Sequence, residues 1–296
     1  MKRRALLVGT AAWACSRREW DWRFARRLLA AGNGADEVTE RWVLAELMTM
    51  AERAGALLTQ GQDAAGALRQ VLFDEEGFTR EVESGDTTFV CLPGVLRRRR
   101  GNCVGLSTTY LALAGALGTR ANGVLLPGHF YVRQVEAAGI CNVELLRRGE
   151  AMADDWYQQR YPIPATASRS AYARPLTEPE ALGVVEFDIG NDRRKHRDWI
   201  GARTAYSRAA RALPDFAEAH ASLGTVLHLL GDRVAAASSY ARAERLDPAL
   251  PGLDQNVRAL QAQIRGLELS GVMPNANSSA ASKLDPSVQP EPKTAP

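Results

Sequence analysis

The segment Cys103–Leu117, CVGLSTTYLALAGAL, constrains the fold more than any other. Val104, Leu106, Leu111, Leu113, Ala114 and Leu117 cover so much of a helical circumference that little polar face remains. Such a helix belongs at the centre of a core, and other elements must wrap it. Ahead of it, over residues 36–58, Val38, Trp42, Leu44, Leu47, Met48, Ala51, Ala54 and Leu58 recur mostly at three- and four-residue steps. That is the helical period, although Gly55 weakens the last turn. A further helix is predicted over 64–73, ending before the polar EVESGDT at 81–87. Leu92-Pro93-Gly94 reads as a break, and the arginine run 97–100 as a solvated turn.

Beyond Gly118 the pattern changes. Runs beginning at Gly123, at His129 and at Ile140 are rich in β-branched, aliphatic and aromatic residues, and Pro127-Gly128 and Ala137-Ala138-Gly139 separate them. They predict an antiparallel meander. Helices followed by strands make residues 36–178 an α+β domain, with residues 15–35 as a linker before it.

The C-terminal part repeats. Gly190/Gly224, Ala202/Ala236, Tyr206/Tyr240, Ala209/Ala243 and Pro214/Pro248 are each 34 residues apart. This spacing of small residues, an aromatic and a closing proline resembles the tetratricopeptide repeat, which implies an α-helical module that holds a protein or peptide partner. The second copy, AEAHASLGTVLHLLGDRVAAASSYARAERLDP, carries most of the resemblance. The module is assigned to 179–269, with a capping helix at 251–269, and two copies are few enough that they should pack on the first domain. The polar, Pro- and Ser-rich residues 270–296 are expected to be a disordered tail.

The start, MKRRALLVGTAAWAC, places Lys2, Arg3 and Arg4 before a short apolar stretch and Ala12-Trp13-Ala14. That is the layout of a secretory signal over residues 1–14. The cysteine that follows makes it resemble a bacterial lipoprotein signal, which implies acylation of Cys15, a membrane partner through that anchor, and a place in the cell envelope. A frayed N-terminus of a cytoplasmic protein is the alternative. Against 37 basic residues stand 34 acidic ones, a net charge of +3. That balance argues against nucleic acid as a partner. The four cysteines have neither the density of a disulfide scaffold nor the spacing of zinc ligands, and the pairing of Cys91 with Cys141 stays open.

Three residues form a candidate constellation. Cys103 opens the buried helix, where the helix dipole and free N–H groups favour a thiolate. His129 opens a strand just after Pro127-Gly128, and Asn142 lies on the next strand, within a hairpin's reach. Nucleophile, base and orienting group are the needs of thiol acyl transfer, and asparagine is able to fix an imidazole tautomer. Glu144, two residues on and therefore on the same strand face, is a rival for the third place. Asn102 and the Cys103 N–H are candidates to line the site and to receive an oxyanion. His196, His220 and His228 lack ligand spacing and read as bystanders.

LRRRRGNCVGLSTTYLALAGALG, NGVLLPGHFYVR and CNVELLRRGE together resemble the bacterial transglutaminase-like superfamily, in the branch with a helical N-terminal segment and, often, C-terminal repeats. The resemblance implies a papain-like core with Cys103 as nucleophile, His129 as base and no metal or organic cofactor. The family's aspartate position falls on Asn142. Two functions follow as expectations. One is a cysteine acyl-transfer protein, more a hydrolase of amide or peptide bonds than a cross-linker. The other is an inactive scaffold that binds a protein or peptide.

Overall fold

The computed structural model describes residues 20–32, 34–82, 85–167 and 170–270. The signal, Cys15 and the tail beyond Ser270 lie outside the described residues. No helix among the described residues is long and apolar enough to cross a membrane.

Helix α1, Arg23–Ala30, occupies the stretch expected to be linker and buries Phe24, Ala25, Leu28 and Leu29. Asp36 caps α2, Glu37–Thr59, by accepting from the Thr39 N–H at 2.7 Å. Helix α3, Ala64–Arg69, runs on into a single π-helical segment, Gln70–Glu75. Strand β1, Thr79–Arg80, is followed by α4, Leu92–Arg98, and by β2, Arg100–Gly101, which pairs in parallel with β1.

Here the structure corrects one expectation. Leu92-Pro93-Gly94 begins a helix rather than breaking one, because proline's missing N–H costs nothing in a first turn. Gly94 is required there: a Cβ would lie 2.2 Å from the Thr88 carbonyl oxygen. The arginine run spans the end of α4, a left-handed turn at Arg99 and the start of β2, with Arg97, Arg98 and Arg100 exposed. Arg97 lies over the Trp42 ring and Arg99 over that of Phe78. Arg99 also pairs with Glu46 and Glu76, and Arg100 with Glu81.

Helix α5, Cys103–Leu117, is central and buried, as its composition demands. It lies against β3, Arg120–Leu126, and β4, His129–Glu136, and its Ser107 and Tyr110 hydroxyls bond the Phe130 carbonyl and Gln134. With β5, Gly139–Glu144, β6, Glu150–Ala151, and β7, Pro175–Leu176, these strands make one antiparallel sheet in the order β6-β5-β4-β3-β7. Leu125, Phe130, Val132 and Val143 face the main core with α5. Val124, Leu126 and Tyr131 face the other way, onto Tyr157 of α6, Asp154–Arg160.

Five helices complete the chain: α7 Glu178–Lys195, α8 Trp199–Ala212, α9 Ala217–Leu229, α10 Arg233–Leu246 and α11 Leu253–Ser270. Helices α7–α8 and α9–α10 are hairpins that repeat each other's contacts. Gly190 meets the Tyr206 ring and Gly224 that of Tyr240, while Asp198 and Asp232 cap α8 and α10 alike. The main core runs continuously across position 178, taking in Val184, Phe187, Tyr206, Phe216 and Val226, while the second hairpin and α11 share a separate cluster around Tyr240.

Candidate functional site

Asn102 holds the start of α5. Its side-chain oxygen accepts from the Gly105 N–H at 2.9 Å, and its amide nitrogen donates to Asp188 of α7 at 3.2 Å. The next residue, Cys103, is therefore set at the positive end of the helix, partly buried and unpaired. Pro127-Gly128 supplies a two-residue hairpin loop in which Gly128 takes φ 68°, and the register Leu126↔His129 places the imidazole at the first position of β4.

His129 and Glu144 are 3% and 1% exposed, and Nε2 stands 2.7 Å from a Glu144 oxygen. The other Glu144 oxygen accepts from the Leu146 N–H at 2.9 Å. Cys103 lies close enough to this imidazole to favour its charged form. With Nε2 engaged by the carboxylate, Nδ1 is the nitrogen left for the sulfur. Burial opposes a charge on this imidazole. The Glu144 carboxylate, its hydrogen bond and the nearby Cys103 outweigh it and raise the His129 pKa to about 9.

Asn142 is placed otherwise than expected. It accepts from Arg133 Nε at 2.9 Å and donates to Asp154 at 2.7 Å and to the Met152 carbonyl at 3.2 Å. Strand register is the reason. Asn142 sits opposite Arg133, and Val143 opposite Val132. Continuing that register puts Glu144 across from Tyr131, two residues from His129, whereas Asn142 faces Arg133, four residues from His129 along β4 and roughly 13 Å away. The structure thus brings Cys103, His129 and Glu144 together and leaves Asn142 outside the group.

An aromatic wall surrounds the imidazole. Tyr161 stacks on it with centroids 4.2 Å apart and planes 6° from parallel. Tyr157 lies 6.2 Å away and is itself stacked on Tyr131 at 3.9 Å. Burial, then the charge of Glu144, raises the pKa of both Tyr157 and Tyr161, so both phenols stay protonated near neutrality. The pair Tyr157/Tyr161, four residues apart at the end of one helix, carried a signal of a shared face that the sequence reading did not use.

Asp188 went unnoticed as well. Burial lifts its pKa to about 6 against hydrogen bonds from Asn102 and Asn191, and it links α7 to the cap of the Cys103 helix.

The other singled-out residues lie apart from this group. Cys91 is a free thiol at the start of α4, pushed up to about 11 by burial and then by Glu186, Asp188 and Asp192. Cys141 is free on β5. His196, His220 and His228 bond Asp192, the Pro214 carbonyl and Gln263. Among the described residues there is no cluster of His, Cys, Asp or Glu able to hold a metal.

A thiol, an imidazole and a carboxylate in series, with the thiol at a helix N-terminus, form an arrangement in which a proton can pass from sulfur to nitrogen and the resulting cation is held by the carboxylate.

Residues 41–178 match the family model of the Transglutaminase-like superfamily. The chain is similar to a UPF0162 protein of Xylella fastidiosa, 24% identical over 195 residues, which cover 64% of this chain and 69% of that protein. No solved structure matches. The segment that bears Cys103, His129 and Glu144 is therefore a transglutaminase-like superfamily domain, spanning residues 41–178.

Proposed function

We propose that this domain performs thiol acyl transfer, with hydrolysis of an amide or peptide bond as its reaction. The observation that carries the reading is the buried His129–Glu144 pair, bonded at 2.7 Å, with Cys103 beside it at the head of α5. The Cys103 thiolate attacks the carbonyl carbon, and the oxyanion forms beside the free N–H groups of the helix start. His129, protonated in the resting pair, gives its proton to the departing amine, leaving a thioester. Water then attacks the thioester carbonyl, His129 takes the water's proton, and the Cys103–acyl bond breaks to release the acid. Glu144 orients the ring and stabilises the imidazolium, the role first given to Asn142. Asn142 instead fixes Arg133 and Asp154.

The two hairpins and α11 serve in this reading as a tetratricopeptide-type module for a protein or peptide partner. The recurring Gly190/Tyr206 and Gly224/Tyr240 contacts support it. The N-terminal pattern supports export and a lipid anchor on Cys15, tested by metabolic labelling with a fatty acid in wild type and Cys15→Ala.

The test of the chemistry is labelling by a thiol-directed electrophile near neutral pH. Cys103 should react far faster than Cys91 or Cys141, and Cys103→Ala should abolish the fast phase with the thermal melt retained. Equal labelling of wild type and variant would return the domain to a binding scaffold.

A further inference from the structure

We propose that Arg160 and Tyr161 form a carboxylate-recognising rim on this site, so that the acyl donor carries a carboxylate close to the bond that is cleaved. The inference rests on the acyl-transfer reading above and specifies its substrate class. Tyr161, directly after α6, lies face to face on His129, and Cys103 lies close to the same imidazole. The tyrosine is thus one ring removed from the thiol, and its phenol lies within the electrostatic reach of both Cys103 and Glu144.

Arg160 lies close enough to that phenol to favour its ionised form, against burial and the charge of Glu144. The Arg160 guanidinium carbon also sits 5.5 Å over the Trp156 ring, and Trp156 stands edge-on to Tyr161 at 6.2 Å. A guanidinium held over a ring face is oriented, not trailing in solvent. It is nevertheless exposed, and no carboxylate among the described residues comes within ion-pair distance of it.

The neighbouring arginines are different. Arg133 pairs with Asp154, Arg147 with Glu150, Arg148 with Asp74, and Arg174 with Glu180 and Asp215. A fixed fork of N–H donors without an internal anion suits a planar carboxylate. The Tyr161 hydroxyl, protonated near neutrality, has a proton to donate to the same group. A partly buried thiol beneath such a rim receives a substrate whose anionic end is held while the carbonyl meets the sulfur.

Iodoacetate and iodoacetamide test this directly, because they are nearly equal in size and differ in the carboxylate. In both reactions the Cys103 sulfur bonds the methylene carbon and iodide leaves with the electron pair. The ratio of the two second-order rates, measured at Cys103 by peptide mapping and referenced to glutathione, reads the preference. The wild-type ratio should exceed that of glutathione, and in Arg160→Gln it should fall roughly five- to tenfold. Tyr161→Phe keeps the stack and should lose less.

An unchanged ratio in Arg160→Gln, with Cys103 still labelled quickly, would overturn the rim and leave the acyl-transfer reading standing. Reaction of wild-type Cys103 with either reagent no faster than in the urea-unfolded chain would overturn both.

Discussion

At the head of β4 a buried imidazole stands 2.7 Å from a buried carboxylate, while at the α7–α8 and α9–α10 contacts a tyrosine ring fills the space over a glycine. Both regions are closed to water, but they answer to different physics. The first is held by charge and strand register. One residue's slip along β5 would turn Glu144 to the other face and leave His129 without its partner. The second is held by volume. Identity matters there through the absence of a Cβ, and the polar contacts, Tyr206 to Asn191 and Tyr240 to Thr225, differ between the copies without changing the hairpin. A site built on charge should fail through its chemistry while the fold survives. A contact built on volume should fail through stability.

The largest expected effect follows from the first half of that contrast. Glu144→Gln keeps a hydrogen-bonding oxygen but removes the charge that holds His129 protonated. Labelling of Cys103 near neutral pH should fall by about a hundredfold or more. Asn142→Ala, which breaks bonds to Arg133, Asp154 and Met152, should change that rate by less than about threefold while costing about 1 kcal/mol of stability. Comparing the two rate constants decides the third member of the group. A larger loss in Asn142→Ala than in Glu144→Gln would restore the asparagine.

The same contrast governs how much could be read from sequence. Helix α5, the long α2 and the meander strands follow from periodicity, which reports burial directly, and the 34-residue spacing anticipated contacts that recur in three dimensions. The choice between Asn142 and Glu144 did not follow, because both point to one face of β5 and only pairing across the hairpin separates them. Helix α1 was missed because its apolar residues occupy barely two turns, among arginines, and its burial depends on α5 and α7 lying against it. Leu92-Pro93-Gly94 misled because proline and glycine mark helix starts as well as breaks. The Tyr161 stack and the Asp188–Asn102 bond join residues far apart in the chain, with no local signature.

Next in size are the glycines. A Cβ at Gly190 or Gly224 would come within 2.6 Å of a tyrosine ring carbon, so Gly→Ala should destabilise by about 1–3 kcal/mol despite the better helix propensity of alanine. The two should not be equivalent. Tyr206 belongs to the main core and bonds Asn191, three residues along α7 from Asp188, whereas Tyr240 belongs to the separate C-terminal cluster. Gly190→Ala should therefore lower the main thermal transition and slow Cys103 labelling. Gly224→Ala should loosen α9–α11 to proteolysis and leave labelling nearly unchanged. Identical proteolysis and labelling in both variants would mean that the two hairpins share one cooperative core.

The smallest effects are on the pH dependence of stability, where each region has its own window. Burial lifts the Glu218 pKa to about 7, and Glu218 joins the second hairpin to Tyr172 of the first domain. Because the folded form holds a proton that the unfolded chain releases near 4.5, its contribution is full below that value and is lost as pH rises through about 7. His129 is also raised, since Glu144 and Cys103 outweigh burial, so its contribution is full below about 6.5 and is lost as pH rises through about 9. Both slopes have the same sign but occupy different windows. Urea midpoints across pH should show Glu218→Gln flattening only the lower window and Glu144→Gln only the upper one. If Glu218→Gln flattened the upper window instead, the charge at the site and the packing of the hairpins would be one coupled system, and the distinction between the two regions would fail.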